Sequence, residues 1–338
     1  MKMRSLSRLV LPLVVGLGLI GQQALAADDT LNFGIISTES SQNQAPLWKP
    51  FLADMSESLG VEVKPFFATD YAAVIQAMRF DKIDLAWYGN KSAMEAVDRA
   101  NGEIFAQTVP DNGQPGYWSL MIVNKDSPYD SVDEILANAS ELTFGNGDPN
   151  STSGYLVPGY YIFAKNGIDP AQAFKRTMNS SHETNALSVA NKQVDVATFN
   201  TESMARLKIT NPEKAEQLKV IWKSPLIPSD PLVWRKDLPA DLKARMREFF
   251  MGYGETPAQK EKLASLQWSR FEPSDNGQLL PIRQLELFKQ RAQVAANDSL
   301  DADDRQARLA ELDAQLASLD ERLQAREAAQ NTTAMATQ

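Results

Sequence analysis

Residues 61–87 read VEVKPFFATDYAAVIQAMRFDKIDLAW. A β-prone run at 61–67 gives way at 71–80 to apolar residues at helical spacing, and 83–87 (IDLAW) returns to an apolar strand. Strand, helix and strand in so short a span form a βαβ unit, whose strands lie parallel. The same alternation extends outward. Upstream, 31–36 (LNFGII) is a strand, followed by a polar loop and a helix over 48–59 that Gly60 stops. Downstream, 92–100 is a helix and 117–124 (YWSLMIVN) a long β-prone run. The alternation restarts near Ser127-Pro128: helices at 132–137, 154–165, 182–191 and 201–207, strands at 142–144, 194–198 and 218–222. Pro225, Pro228 and Pro231 mark a break before a last strand at 231–234 and a mainly helical stretch. The expectation is an α/β protein with mostly parallel sheets in two lobes. The first takes 27–118 and 232–297, the second 119–231, and the chain crosses between them near 117–120 and 227–232.

The length of 338 residues suits two such units, and 43% hydrophobic against 23% charged residues is ordinary for a globular chain with a real core. The formal net charge of −9 argues against a nucleic-acid surface, which needs clustered positive charge. Cysteine is absent, which removes disulfides, Cys-ligated zinc, Fe–S clusters and a thiol nucleophile. His182 is the single histidine, so a metal site with two imidazoles is excluded, and nothing in the chain calls for a cofactor.

Residues 1–26 read as a secretory leader. Lys2, Arg4 and Arg8 precede a short apolar run at 9–20, and Ala24-Leu25-Ala26 offers a cleavage site. The alternative is a membrane anchor, for which the run is short and interrupted by Pro12. The product is then a soluble exported protein. At the other end, 298–338 is expected to form an amphipathic helix and a flexible tail beginning at Asn331. Leu309, Leu312, Leu316, Leu319 and Leu323 make a heptad-like seam that either pairs with a second copy or lies on its own lobe.

The stretch richest in chemistry is 145–158, GNGDPNSTSGYLVP. Ser151, Thr152 and Ser153 sit at a helix start, where free N–H groups and hydroxyls suit an oxyanion, although a single N-cap is the simpler role for any one of them. The Gly-Lys-Ser/Thr end of a nucleotide-binding loop is missing. His182 opens another polar helix start. It is either a structural residue or a contact, and a hydrolase would need it as its base, yet no Gly-x-Ser-x-Gly elbow accompanies it. Tyr71 and Tyr117 follow strands, where crevice residues stand in open α/β sheets, and also suit plain packing. Glu202 begins a helix and Asp230 lies at the second crossing. Each alone is equally a cap or a solvated acid.

The segments FFATDYAAVIQAMRF, IDLAWYGN, LTFGNGDPNSTSGYLVPGYY, SHETNAL and VIWKSPLIPSDPLVWRKDLP together resemble the periplasmic phosphonate-binding proteins of bacterial phosphonate ABC transporters, over residues 31–289. The resemblance implies a hinged, two-lobed type II periplasmic binding protein with a C-terminal helical extension. Such a protein hands its ligand to an inner-membrane permease and is not an enzyme. It assigns the phosphonate group to Ser151, Thr152 and Ser153, with His182, Tyr71 and Tyr117 around it, and the amine of 2-aminoethylphosphonate to Glu202 and Asp230. An exported phosphoester or phosphonate hydrolase using His182 is the competing reading, and a homodimer through the C-terminal helix is a further expectation.

Overall fold

The computed structural model describes residues 30–336, so the expected leader lies outside the described residues. In chain order the strands are β1 (Leu31–Ile35), β2 (Val63–Phe67), β3 (Leu85–Trp87), β4 (Gly102–Pro110), β5 (Gly116–Tyr117), β6 (Ser119–Asn124), β7 (Thr143–Gly147), β8 (Arg176–Ser180), β9 (Val196–Asn200), β10 (Leu218–Lys223), β11 (Ile227–Pro228), β12 (Pro231–Arg235) and β13 (Trp268–Pro273). The helices are α1 (Ser41–Leu59), α2 (Tyr71–Arg79), α3 (Asn90–Arg99), α4 (Val132–Ala137), α5 (Pro170–Ala173), α6 (His182–Ala190), α7 (Thr201–Thr210), α8 (Pro212–Ala215), α9 (Ala240–Gly252), α10 (Pro257–Ser265), α11 (Leu280–Ala295) and α12 (Ala302–Ala336).

One sheet has the order β13-β4-β12-β3-β1-β2 and a second the order β10-β6-β9-β7-β8, while β5 and β11 pair as a short ribbon between them. β1 is parallel to β2 and β3, and β7 is parallel to β8 and β9. The sheets are nonetheless mixed, where mostly parallel ones were expected. β12 runs against β3 and β4, β13 runs against β4, and β6 runs against β9 and β10. The reason is the double crossing. The parallel strands all end at the gap between the sheets. A chain that arrives from the other lobe therefore begins its first strand at that gap and runs the opposite way, as β6 and β12 do.

The first sheet is sealed by an aromatic cluster. Phe33, Phe51 and Phe250 are wholly buried, and Phe51 meets Phe249, Tyr253 and Phe271 at centroid distances of 5.0–5.7 Å. Helix α1 reaches this cluster through Trp48, Phe51, Leu52, Met55 and Leu59, a helical stripe that ends at Gly60 in the left-handed region (φ 67°). The second sheet is covered on both faces. Met121 and Val123 of β6 join Phe144, Phe163 and Phe174 on one side, while Leu120 and Ile122 join Ala197 and Phe199 on the other. That period of two with every residue buried is the mark of a strand between two layers.

Two elements differ from expectation. The α-helix expected over 154–165 winds instead through wide π-type turns at Thr152–Leu156 and Gly159–Phe163. Glycine permits a close approach here: a Cβ on Gly147 would lie 2.5 Å from the Gly154 backbone, so β7 and the turn come nearer than any side chain allows. The second concerns α12, which packs along α11 of the same chain. Leu312, Leu316 and Leu319 are buried, Arg291 Nε lies 2.5 Å from Asp313 Oδ1, and Gln284 Nε2 donates to Asp320 Oδ1 at 2.5 Å. Of the two partners expected for the leucine seam, the structure shows packing on its own lobe, and helix continues to Ala336, past the expected onset of the flexible tail at Asn331.

Candidate ligand-binding site

A cavity of about 50 Å3 lies where the parallel strands of both sheets end. The position is the one at which open α/β sheets bind ligands, outside the carboxyl ends of the strands. The lobe built on the second sheet contributes Ser151, Thr152 and Ser153 after β7, His182 after β8, and Asn200 and Glu202 after β9. The other contributes Thr38 after β1, Tyr71 after β2 and Trp87 and Gly89 at the end of β3, with Trp48 and Trp268 behind. Tyr117 and Asp230 come from the two crossings. All eight residues singled out in the sequence therefore line one cavity.

Ser151 Oγ accepts the Gly154 N–H (3.0 Å) and Thr152 Oγ1 accepts the Lys91 N–H (2.8 Å), a bond that joins the lobes. Both hydroxyls keep their own protons to donate. Around them stands a network that hinges on Asn200. Its Oδ1 accepts from the Ser203 N–H at 2.6 Å, which turns its NH2 toward Ser153 Oγ (3.0 Å) and His182 Nε2 (3.2 Å). Nε2, 3.4 Å from both Ser151 Oγ and Ser153 Oγ, is then an acceptor, and the ring proton belongs on Nδ1, which is buried with no partner. Burial holds the imidazole well below its usual range, at about 4, so it is neutral at pH 7. Among the described residues no carboxylate orients that ring, so a Ser-His-Asp relay lacks its third member there. The cradle offers neutral donors, since Lys91 turns its ammonium to Glu95 (2.6 Å) and Arg206 faces Glu39 (3.3 Å).

Carboxylates mark the far wall. Asp230 is 6% exposed and accepts from the Tyr117 hydroxyl at 2.9 Å. Burial, and then the charge of Glu202, push its carboxyl well above the ordinary range. Glu202 is raised to about 7, first by burial and further by Asp111, against the opposing pull of Arg206 one turn along α7. A Cβ on Gly89 would lie 3.3 Å from Thr152 Oγ1 and 3.8 Å from Asp230 Oδ1. The hydroxyl cradle and the acid thus flank one glycine, within reach of a molecule of a few heavy atoms.

Asn200, Thr38, Gly89, Trp87 and Arg206 line the cavity without having been singled out from the sequence. Asn200 was open to the same logic as Glu202, because it is the last residue of a strand that ends at the gap. Among the described residues no group of His, Asp and Glu is placed to hold a metal ion, and no helix is long and apolar enough to cross a membrane.

Paired mixed sheets, a double crossing and a polar cavity between them define a two-lobed solute-binding protein. The family model for ABC transporter, phosphonate, periplasmic substrate-binding protein matches residues 33–279, and the chain belongs to that family. It is 61% identical over 293 residues to the phosphonates-binding periplasmic protein of Escherichia coli K12, which covers 87% of this chain and 86% of that one. A crystal structure of a binding protein component of an ABC phosphonate transporter from Pseudomonas aeruginosa superposes with a TM-score of 0.87 at 68% identity, covering 88% of this chain and 99% of that one. A phosphite-binding relative from Prochlorococcus marinus is 29% identical over 191 residues, 54% of this chain and 63% of its own. The protein is therefore a periplasmic phosphonate-binding component of an ABC transporter and not an enzyme.

Proposed function

We propose that the preferred ligand is 2-aminoethylphosphonate, its phosphonate oxygens on Ser151, Thr152 and Ser153 with His182 and Tyr71 around them, and its ammonium between Asp230 and Glu202, beside Tyr117, which the resemblance set around the phosphonate but whose hydroxyl bonds Asp230. The observation that carries this reading is Asp230: a buried carboxylate, bonded to one phenol and facing a second acid, with no ion-pair partner among the described residues. Two acids in one small cavity stay charged only if a cation joins them. A primary ammonium supplies three charge-assisted hydrogen bonds and fits the space between. At the other end a neutral cradle handles the acid group, so a ligand of low net charge is favoured over a phosphate dianion, which the acids repel. Delivery to the permease follows from the lobes closing on the ligand.

Calorimetry with 2-aminoethylphosphonate, methylphosphonate and phosphate tests the reading. The amine-bearing ligand is expected to bind tightest. Equal affinities for the first two would overturn the amine assignment and leave phosphonate binding intact.

A further inference from the structure

Thr38, Glu39 and Ser40 lead from β1 into α1, and groups from the opposite lobe hold all three. The Glu183 N–H donates to Thr38 O at 3.2 Å. The Glu183 carboxylate accepts from the Ser40 N–H at 2.9 Å and from Asn43 Nδ2. Arg206 Nε lies 3.3 Å from Glu39 Oε1, and its guanidinium donates to Ser265 O at 2.6 Å. Glu183 does not line the ligand cavity.

The start of α1 explains why an acid is wanted there. Ser40 is the N-cap, its hydroxyl accepting from the Asn43 N–H. In a capping box the third helical residue is a Glu or Gln that returns a bond to the cap's own N–H. Glu134 does this for Ser131 at α4, and Gln259 for Thr256 at α10. At α1 that position is Asn43, and the first turn has no acid. The returning bond comes from Glu183 on α6, across the cleft. It also brings a negative charge to the positive end of a 19-residue helix.

We propose that Glu183 completes the cap of α1 in trans, forming a latch that exists only with the lobes together. It is a positioning residue that sets how tightly the cleft holds any phosphonate and does not distinguish one from another. The Arg206–Glu39 pair grips the same loop from α7. This inference rests on phosphonate binding and is independent of the amine assignment.

The test compares wild type, Glu183→Ala, Asn43→Ala and the double variant in calorimetry and stopped-flow with 2-aminoethylphosphonate and with methylphosphonate. Glu183→Ala is expected to weaken both ligands by one common factor, about tenfold or more, through faster release. Asn43→Ala gives a smaller loss, and the double variant is no weaker than Glu183→Ala because the two residues share one contact. Small-angle scattering of the saturated variants should show a less compact molecule than saturated wild type. Unchanged affinity for both ligands, or a loss confined to the amine-bearing one, overturns the proposal. Should Glu183→Ala fail to fold, Glu183→Ser, whose side chain is too short to reach the Ser40 N–H, carries the same comparison, and proportionate losses are again required. A wild type that takes methylphosphonate and not 2-aminoethylphosphonate would defeat the amine assignment alone. The latch would then be read from the methylphosphonate release rate.

Discussion

Asp230 and Glu202 are kept at a cost to the empty protein, and that cost can be measured. With its carboxyl raised to about 7 from the ordinary 4.5, Glu202 holds its proton in the folded chain over a range where the unfolded chain has lost it. Stability without ligand therefore falls as pH rises from about 4.5 to 7, and Asp230, shifted the same way, adds to the loss. His182 acts in the opposite sense. Its neutral ring, at about 4 against 6.5, withdraws stability as pH falls below 6.5. Subtracting variants separates the two. Glu202→Gln and Asp230→Asn are expected to raise the ligand-free melting temperature at pH 8 relative to wild type while weakening 2-aminoethylphosphonate by about tenfold or more and sparing methylphosphonate. A lower melting temperature for both variants would mean that the acids are structurally satisfied. Since the imidazole is neutral well below pH 6, affinity for methylphosphonate should show no inflection from His182 between pH 6 and 8, as calorimetry across that range would reveal.

At the scale of elements, the hydroxyl cradle of Ser151, Thr152 and Ser153 depends on β7 lying against the turn that follows it. Gly147→Ala puts a methyl 2.5 Å from the Gly154 backbone, which has no side chain to swing aside. The expected result is a loss of about 1–3 kcal/mol of stability in denaturant titration together with weaker binding of every phosphonate. Near-wild-type values in both would show that the turn can shift. This is also where the sequence is least informative. The apolar spacing in 154–165 fits an α-helix, and the closeness of Gly147 and Gly154 is something only the folded chain reveals. The strands β4, β8 and β13 went unread, the last two at sheet edges. Arg176–Ser180 is half polar and lies at the sheet edge, so it lacks the apolar run that marks β6 or β9. The site was far more legible than the sheet edges. Hydroxyls, phenols and acids placed just after apolar strands point to one gap once the strands are parallel. Asn200 escaped because an Asn after a strand is so often only a cap, and it does cap α7 as well.

For the molecule as a whole, α12 is a strut laid on α11, and its removal tests that description. A chain ending at residue 297 loses Leu312, Leu316 and Leu319 themselves and bares the face of α11 they pack on, each fully buried leucine being worth about 1.5–3 kcal/mol. Its unfolding midpoint in urea should drop, with phosphonate affinity unchanged. Light scattering on both forms checks the dimer expectation, because a seam filled by α11 leaves a second copy little apolar surface to grip. The pair of crossings has a broader consequence. Tyr117 belongs to β5, which pairs with β11 between the sheets, and Asp230 stands just before β12 on the return. Under the proposed amine assignment, the groups that meet the ammonium are mounted on the axle about which the halves turn. Chemistry and mechanics are geared together there, so retuning this receptor toward a new solute at those two positions will alter its swing as well as its taste.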